Sequence, residues 1–211
     1  MTPAAILFDN DGLLLDTEVL WTRAEVVLFE RFGKTFTLDH KRELIGTSGP
    51  ASEAIIERQL GAPGRGAELM ADLHELVMDE ALRGVDPMPG AVELLDALDG
   101  RPVGVASNSP RMFVERTLHA AGLWDRFGCV LSADDVERPK PAPDLYVELA
   151  RGLGADPADC VALEDSATGV RAAREAGAFV IGVPSLEGVV LDEADLVVES
   201  LADPRVLARL A

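Results

Sequence analysis

The chain has 211 residues, of which 48% are hydrophobic and 27% charged, and this composition is typical of a globular protein with a core large enough for one large or two small domains. Its 19 Lys and Arg residues against 37 Asp and Glu residues give a formal net charge of −18. Such a field repels nucleic acids and anionic membrane surfaces, so we expect neither as a partner, and any phosphate site must bring its own local positive charge.

The first predicted element is a buried strand at residues 5–8, a short apolar run that ends in an acidic segment. After it, residues 16–87 show helical periodicity throughout and no strand pattern, with Gly and Pro between the helices. The predicted helices of this interval are 17–31, 38–44, 52–60 and 67–82. We therefore predict an all-helical domain at 16–87, inserted into a catalytic core that is formed by 1–15 and 88–211.

Beyond the insertion, apolar runs alternate with amphipathic helical stretches. The runs lack in/out alternation, as expected of strands that are buried on both faces, and lie at 103–106, 161–163, 179–183 and 196–198. The helical stretches lie at 110–121, 143–153 and 166–176. This order predicts an α/β fold with a doubly wound, Rossmann-like parallel sheet covered by helices on both faces.

Three of the predicted strands end in residues that can do chemistry. The first is followed by Asp-Asn-Asp-Gly at 9–12, the second by Ser107 and Asn108, and the third by Glu164 and Asp165. Ligands of open parallel sheets bind outside the carboxyl ends of the strands. If the three strands are neighbours, these side chains converge on one site.

Asp9 and Asp11 form a carboxylate pair at the end of the first strand. At a spacing of two in extended backbone, their side chains point to the same side. Two such groups separate readily into an ionised nucleophile or metal ligand and a protonated general acid. A solvated acidic turn explains the pair equally well. A calcium loop does not, because Leu13 and Leu14 stand where a ligand and a glycine are required.

Glu164 and Asp165 add two more acids, so the predicted pocket gathers four carboxyl groups that repel one another without a cation. Hard oxygen ligands favour Mg²⁺, which readily shares its coordination shell with a phosphate oxygen. The segment 164–166 also suits the start of a helix, where Asp or Ser caps the free amides. Capping and metal binding are compatible, so we predict a Mg²⁺ site.

Ser107, Asn108 and Lys140 are the candidate phosphate-binding residues. Ser107 and Asn108 open a predicted helix, whose N-terminal amides attract anions. Lys140 lies among three prolines at 139, 141 and 143, which restrict its backbone. A stiff surface loop with a solvated lysine would have the same sequence.

The sum of the charges in the predicted site indicates which of its acids should be protonated. A bound phosphoryl group carries about −2, and with ionised Asp9, Glu164 and Asp165 the total is roughly −5, which one Mg²⁺ and Lys140 offset by +3. Asp11 is then expected to be protonated, the state that a general acid needs before it protonates a leaving alcohol.

These segments together resemble a known family. The sequences at 9–12, 107–108, 140 and 164–169 are similar, in order and spacing, to the four motifs of the haloacid dehalogenase superfamily. The similarity spans nearly the whole chain and is strongest to the branch of β-phosphoglucomutase and small sugar-phosphate phosphatases.

The resemblance implies a phosphatase that acts through a covalent aspartyl phosphate on Asp9. Asp11 would protonate the leaving group and then activate water. Mg²⁺ would be held by the Asp9 carboxylate, the Asp11 backbone carbonyl and Asp165, with Glu164 acting directly or through water. Ser107 and Lys140 would bind the phosphoryl oxygens. The helical insertion would be a cap that closes over the substrate.

Two alternatives to a hydrolase stay open. A phosphosugar mutase of the β-phosphoglucomutase type is one, although the histidine and the arginine of its cap are replaced by Trp21 and Gly49 here. A non-catalytic phosphate-sensing module is the other, although it would need no helical insertion of this length.

The sequence does not identify the substrate beyond a small phosphate ester, for which a sugar phosphate is the first candidate. The candidate substrate-contacting residues of the cap are Trp21, Thr47 and Ser48. Two cysteines without a disulfide or zinc pattern, and no signal sequence or apolar run of about 18 residues, predict a cytoplasmic protein. The oligomeric state is not determined by these features, and a monomer is compatible with them.

Overall fold

The computed structural model describes residues 2–44, 49–185 and 188–211. The chain forms two compact units, one of Met1–Thr17 with Val85–Ala211 and the other of Glu18–Gly84. We refer to them as the sheet unit and the helical unit. The assignment of 1–15 with 88–211 as catalytic core and of 16–87 as cap stays a prediction.

The helical unit follows the predicted pattern closely. Its helices are α1 (Thr17–Arg31), α2 (Leu38–Leu44), α3 (Pro50–Leu60) and α4 (Gly66–Leu82). Each long helix buries one stripe of apolar residues: Leu20, Ala24 and Leu28 recur every four residues in α1, as do Leu69, Leu73 and Val77 in α4. Helix α3 begins two residues before its predicted start, because proline is well suited to the first helical turn.

The described part of the sheet unit contains a six-stranded parallel sheet. Its strands are β1 (Ile6–Phe8), β2 (Val103–Ala106), β3 (Cys129–Leu131), β4 (Val161–Glu164), β5 (Phe179–Gly182) and β6 (Leu196–Val197), in the order β3-β2-β1-β4-β5-β6. The helices of this unit are α5 (Ala91–Ala97), α6 (Arg111–Ala120), α7 (Asp144–Gly152), α8 (Ala167–Ala176) and α9 (Pro204–Leu210). The predicted α/β class with a doubly wound sheet is confirmed.

Strand β1 lies at the centre of the sheet, where the strand order changes direction. Ile6, Leu7 and Phe8 are all fully buried, so both faces of this strand are covered. Phe8 is paired with Val105 of β2 on one side and with Leu163 of β4 on the other. The residues that follow β1 therefore emerge between the ends of β2 and β4, at the switch point where ligands of such sheets bind.

Three elements of the sheet unit are absent from the prediction: β3, α5 and α9. Strand β3 has only three residues, all half-buried, so its apolar signal is weak. Helices α5 and α9 have seven residues each, which is too short for several turns of clear periodicity.

Within the described ranges, no helix combines the length and the apolar character that crossing a membrane requires. The cytoplasmic location stays a prediction.

Candidate active site

Asp9 and Lys140 form the buried ion pair at the centre of the site. Asp9 directly follows β1, and its backbone amide continues the sheet by donating to the carbonyl of Leu163 at 3.0 Å. The Lys140 ammonium donates to Asp9 Oδ1 at 2.6 Å, to Glu164 Oε1 at 2.5 Å and to the Ala106 carbonyl at 2.8 Å. All three ammonium donors of Lys140 are therefore used, and its side chain is only 3% exposed.

Asn108 holds the backbone of Lys140 from both sides. Its Oδ1 accepts from the Lys140 amide at 2.8 Å, and its Nδ2 donates to the Lys140 carbonyl at 3.0 Å. This reciprocal pair joins the loop after β2 to the proline-rich segment before α7. Asn108, which the sequence predicts as a phosphate-binding residue, thus has both the oxygen and the nitrogen of its side-chain amide bonded to Lys140. This arrangement fixes where the lysine enters the site.

Glu164 is completely buried at the end of β4. Its Oε1 accepts from Lys140 and also from the hydroxyl of Tyr146 at 2.6 Å, while its Oε2 accepts from the hydroxyl of Ser166 at 3.1 Å. A Cβ atom at Gly169 would overlap this carboxylate, so glycine is needed there. Ser166 also caps α8 through the Gly169 amide, which means that the capping interpretation of this segment holds as well.

Asp165 lies beside the turn after β1. Its Oδ2 accepts from the hydroxyl of Ser185, in the loop after β5, at 2.6 Å. Gly12 has a φ of +80°, and a Cβ atom there would lie 2.5 Å from the same carboxylate oxygen. Gly12 therefore provides both the left-handed turn and the space that brings Asp165 close to β1.

Asp11 is held by two hydroxyl groups from the loop after β2. Ser107 donates to Asp11 Oδ2 at 2.7 Å and Ser109 donates to the same oxygen at 2.9 Å. Asp11 Oδ1 accepts a longer hydrogen bond of 3.2 Å from the side-chain Nδ2 of Asn10. Asp11 is partly exposed, and its carboxylate is oriented by hydroxyl groups rather than by a charged lysine or arginine side chain.

Burial and repulsion by neighbouring acids disfavour ionisation of Asp9 and Asp165. Burial raises the pKa of Asp9 well above its usual value; Lys140 lowers it again in part, and Glu164, Asp165 and Asp11 raise it further. Burial and Glu164 raise the pKa of Asp165 to about 7. The pKa of Lys140 is raised well above its usual value because the ionised forms of Asp9 and Glu164 outweigh the effect of burial, so the ammonium stays charged.

The same acids are suitable ligands for a divalent cation. Among the described residues, Asp9, Glu164 and Asp165 offer carboxylate oxygens that lie within 4.8 Å of one another. Oxygen donors of this kind match hard cations such as Mg²⁺. A cation among them would offset the repulsion that raises the pKa of Asp9 and of Asp165. Glu164 is the member whose two oxygens are already engaged by protein donors.

Seven of the residues predicted from the sequence lie at these neighbouring strand ends, in three groups. Hydrogen bonds connect Lys140 with Asp9, Glu164 and Asn108, and Ser107 with Asp11. Asp165 belongs to the carboxylate cluster with Asp9 and Glu164. Trp21 lies in the helical unit, where its ring meets that of His74 edge-on at 5.6 Å between centroids. Thr47 and Ser48 lie outside the described residues.

Sequence reasoning missed three side chains that contact the acids: Tyr146, Ser109 and Ser185. Tyr146 had a recognisable signal, since it follows the proline-rich segment and falls on the apolar face of a predicted helix, where a buried hydroxyl needs a partner. Ser109 and Ser185 are small polar residues in loops and carry no such signal.

A parallel sheet whose switch point collects carboxylates, one buried ammonium and several hydroxyls is the architecture of an enzyme for small anionic substrates. The family comparison agrees, because residues 3–177 match the model of the haloacid dehalogenase-like hydrolases. The chain belongs to this family, as its motifs predict.

Known phosphatases and solved structures resemble the chain over most of its length. Hexitol phosphatase B of Escherichia coli (strain K12) is 33% identical over 189 residues, which are 87% of this chain and 84% of the relative. Validoxylamine A 7′-phosphate phosphatase of Streptomyces hygroscopicus subsp. limoneus is 30% identical, with 94% of each chain covered. The crystal structure of CbbY from Rhodobacter sphaeroides in complex with phosphate is 31% identical, with a TM-score of 0.81 and 99% of each chain covered. The family and these relatives support an enzyme that acts on phosphate monoesters.

Proposed function

We propose that the protein is a Mg²⁺-dependent phosphatase that hydrolyses a small phosphate monoester, with a sugar phosphate as its substrate, through an aspartyl phosphate on Asp9. The observation that carries the proposal is the position of Asp9 at the switch point of the sheet, 2.6 Å from the Lys140 ammonium and two residues before an acid that hydroxyl groups orient. A nucleophile, its counter-charge and an acid–base group are therefore together.

In the first step, an oxygen of Asp9 forms a bond to phosphorus, and the bond from phosphorus to the leaving alcohol breaks. Asp11 transfers its proton to the alcohol oxygen and becomes a carboxylate. In the second step, a water oxygen bonds to phosphorus, its proton passes to Asp11, and the bond to Asp9 breaks. Inorganic phosphate is released, and both side chains return to their first state.

Lys140 and Ser107 are proposed to bind the phosphoryl oxygens, and Lys140 would do so by exchanging one of its three protein hydrogen bonds for a phosphoryl oxygen. Lys140 is held in place by Asn108 and Glu164, so its charge is oriented before the substrate arrives, which is the condition for effective electrostatic stabilisation. Ser107, at the end of the adjacent strand β2, would donate a hydrogen bond from its hydroxyl to a phosphoryl oxygen. In this proposal Asn108 contributes to phosphate binding through the backbone of Lys140.

Mg²⁺ would be held by the carboxylates of Asp9 and Asp165 and by the backbone carbonyl of Asp11, with Glu164 acting directly or through water. When bound, it would neutralise charge on the phosphoryl group. The close approach of three of these carboxylates supports this ligand set.

The choice of a sugar phosphate is supported by the similarity to hexitol phosphatase B, whose name refers to a sugar alcohol. The role of the helical unit as a cap, and of Trp21, Thr47 and Ser48 in selecting the substrate, stays a prediction.

The test is a turnover screen of the purified protein against a panel of sugar, polyol and nucleotide monophosphates, with Mg²⁺ and with EDTA. We expect release of inorganic phosphate from at least one sugar or polyol phosphate, lost in EDTA and restored by added Mg²⁺. Conversion of a hexose phosphate to its isomer without phosphate release would favour the mutase alternative. Absence of turnover across the panel would contradict the proposed function.

A further inference from the structure

We propose that Ser109 is a positioning residue for Asp11, whose hydroxyl keeps the acid oriented while Ser107 turns to the phosphoryl group of the substrate. The inference rests on the proposed function and extends it to a residue outside the four sequence motifs.

The two serines approach Asp11 from the same short loop. Ser107 directly follows β2 and is fully buried, whereas Ser109 is half-buried just before α6. Both hydroxyls donate to Asp11 Oδ2, at 2.7 and 2.9 Å. The Ser109 amide also donates to the hydroxyl oxygen of Ser107 at 3.0 Å, so the Ser107 hydroxyl is tied to the backbone of Ser109.

A count of protons shows that the two serines cannot have the same role throughout the reaction. A serine hydroxyl has one proton and can donate one hydrogen bond at a time. When Ser107 donates to a phosphoryl oxygen, it therefore releases Asp11. Ser109 is then the hydroxyl that still donates to Asp11 Oδ2, and it can do so in the free enzyme and in the substrate complex.

The hydrogen bond from Ser109 also distinguishes the two oxygens of Asp11. An oxygen that accepts a short hydrogen bond is a poor position for the acidic proton, which favours Oδ1, whose hydrogen bond from the Asn10 side-chain amide is longer, at 3.2 Å. Ser109 thus selects the oxygen that delivers the proton and limits rotation of the carboxyl group. Loss of its hydroxyl should impair proton transfer to the leaving group more than binding of the phosphoryl group.

This role can be separated from a general structural role by the choice of leaving group. An alkoxide must be protonated as it leaves, whereas p-nitrophenolate is stable near neutral pH and needs little help from an acid. The value of kcat/KM reports on the steps up to leaving-group release. It should be measured for p-nitrophenyl phosphate and for the sugar or polyol phosphate that the wild-type enzyme hydrolyses best.

The variants are Ser109→Ala, which removes the hydroxyl, and Ser109→Thr, which retains one. Ser200→Ala is the matched control, since Ser200 is a half-buried serine of the same unit whose hydroxyl donates to the Pro89 carbonyl at 3.1 Å. We expect Ser109→Ala to lose about tenfold more kcat/KM on the alkyl ester than on the aryl ester. Ser109→Thr should recover most of this difference, and Ser200→Ala should match the wild type on both esters.

An equal loss on both esters, no loss on either, or a loss in Ser109→Thr as large as in Ser109→Ala would overturn the role of Ser109. In each of these cases the wild-type enzyme still hydrolyses the esters, so the proposed function stands. If the wild type hydrolyses neither ester, the proposed function fails first and the role of Ser109 fails with it.

Discussion

Each unit of the molecule contains a lysine between two acids, and the two clusters differ in a way that separates structure from chemistry. In the helical unit, Lys41 lies 3.0 Å from both Glu18 and Glu25, and the Glu18 side chain is 40% exposed. In the sheet unit, Lys140 lies between Asp9 and Glu164, whose side chains are 9% and 0% exposed. One acid of the first pair is well exposed to water, whereas Asp9 is only slightly exposed and Glu164 is not exposed at all.

The other acids near each lysine increase the difference between the two clusters. Burial raises the pKa of Glu25, Lys41 lowers it again, and Glu18 raises it further. Around Lys140, the further acids Asp165 and Asp11 both contribute to the raised pKa of Asp9. A buried surplus of acids contributes little to stability unless a proton or a cation offsets it. An unbalanced buried cluster of acids therefore indicates a binding or catalytic site more strongly than a buried ion pair does.

The strongest test of this distinction is Asp9→Asn. The amide keeps the shape of the carboxylate but is not a nucleophile, so we expect turnover to fall by at least about a thousandfold. The protein should stay folded, because the change also relieves the repulsion that raises the pKa of Asp9. Phosphate release measures the first effect, and circular dichroism with thermal unfolding measures the second.

The control for Asp9→Asn is Glu25→Gln, the same type of change in the helical unit. We expect it to retain turnover within about threefold, because it lies in the other unit of the chain. Activity above about 1% of wild type in well-folded Asp9→Asn would remove the covalent mechanism.

The two lysines give the second test, since Lys140→Met and Lys41→Met remove the same charge from the two clusters. Lys140→Met should lower kcat/KM by about a hundredfold, because a preorganised charge at the phosphoryl group is lost. Lys41→Met should instead lower the free energy of unfolding by about 2 kcal/mol, less than the full cost of an isolated buried charge because Glu25 can take up a proton.

Steady-state kinetics and chemical denaturation of both variants measure these effects side by side. If Lys41→Met reduced kcat/KM as strongly as Lys140→Met while unfolding at the wild-type midpoint, the distinction between the clusters would be wrong.

The fold could be predicted largely from the sequence because its signals are local. Helices α1 and α2 have their predicted bounds, and β2 does too, since apolar spacing and Gly or Pro punctuation mark them within a single segment. Strand β3 was missed because three half-buried residues carry little pattern. The order of strands β2, β1 and β4, which brings the acids together, depended on the assumption that these strands are neighbours.

The partners of the site residues could not be predicted in the same way. Ser109 and Asp11 are 98 residues apart in sequence, and Asn108 is 32 residues from Lys140. Such contacts arise only when the strand ends meet in the folded protein, and no residue-type pattern in the loop after β2 specifies them. The sequence could therefore predict which acids and which lysine gather at the sheet edge, but not that Asn108 holds the backbone of Lys140.

The smallest predicted effect concerns the pH dependence of stability in the metal-free protein. The pKa of Asp165 is raised from 3.8 to about 7 in the folded state, so between these values the folded protein binds more protons than the unfolded chain. The contribution of Asp165 to stability is fully present below its unfolded pKa and is lost as the pH rises through about 7. Unfolding in EDTA should therefore occur at lower temperatures at pH 8 than at pH 6, by a few degrees.

Asp165→Asn separates the contribution of Asp165 to the pH dependence of stability from that of all other groups, because the asparagine side chain does not titrate. We expect the variant to lose part of the decrease in melting temperature between pH 6 and pH 8; the remainder belongs to Asp9, whose pKa is also raised.

Mg²⁺ should stabilise the wild type more at pH 8 than at pH 6, since protons compete with the cation for the same oxygens. Glu25→Gln, which leaves the sheet unit unchanged, should keep the wild-type response to Mg²⁺. An identical pH dependence in Asp165→Asn and in the wild type would show that the acids at the sheet edge are balanced without a cation.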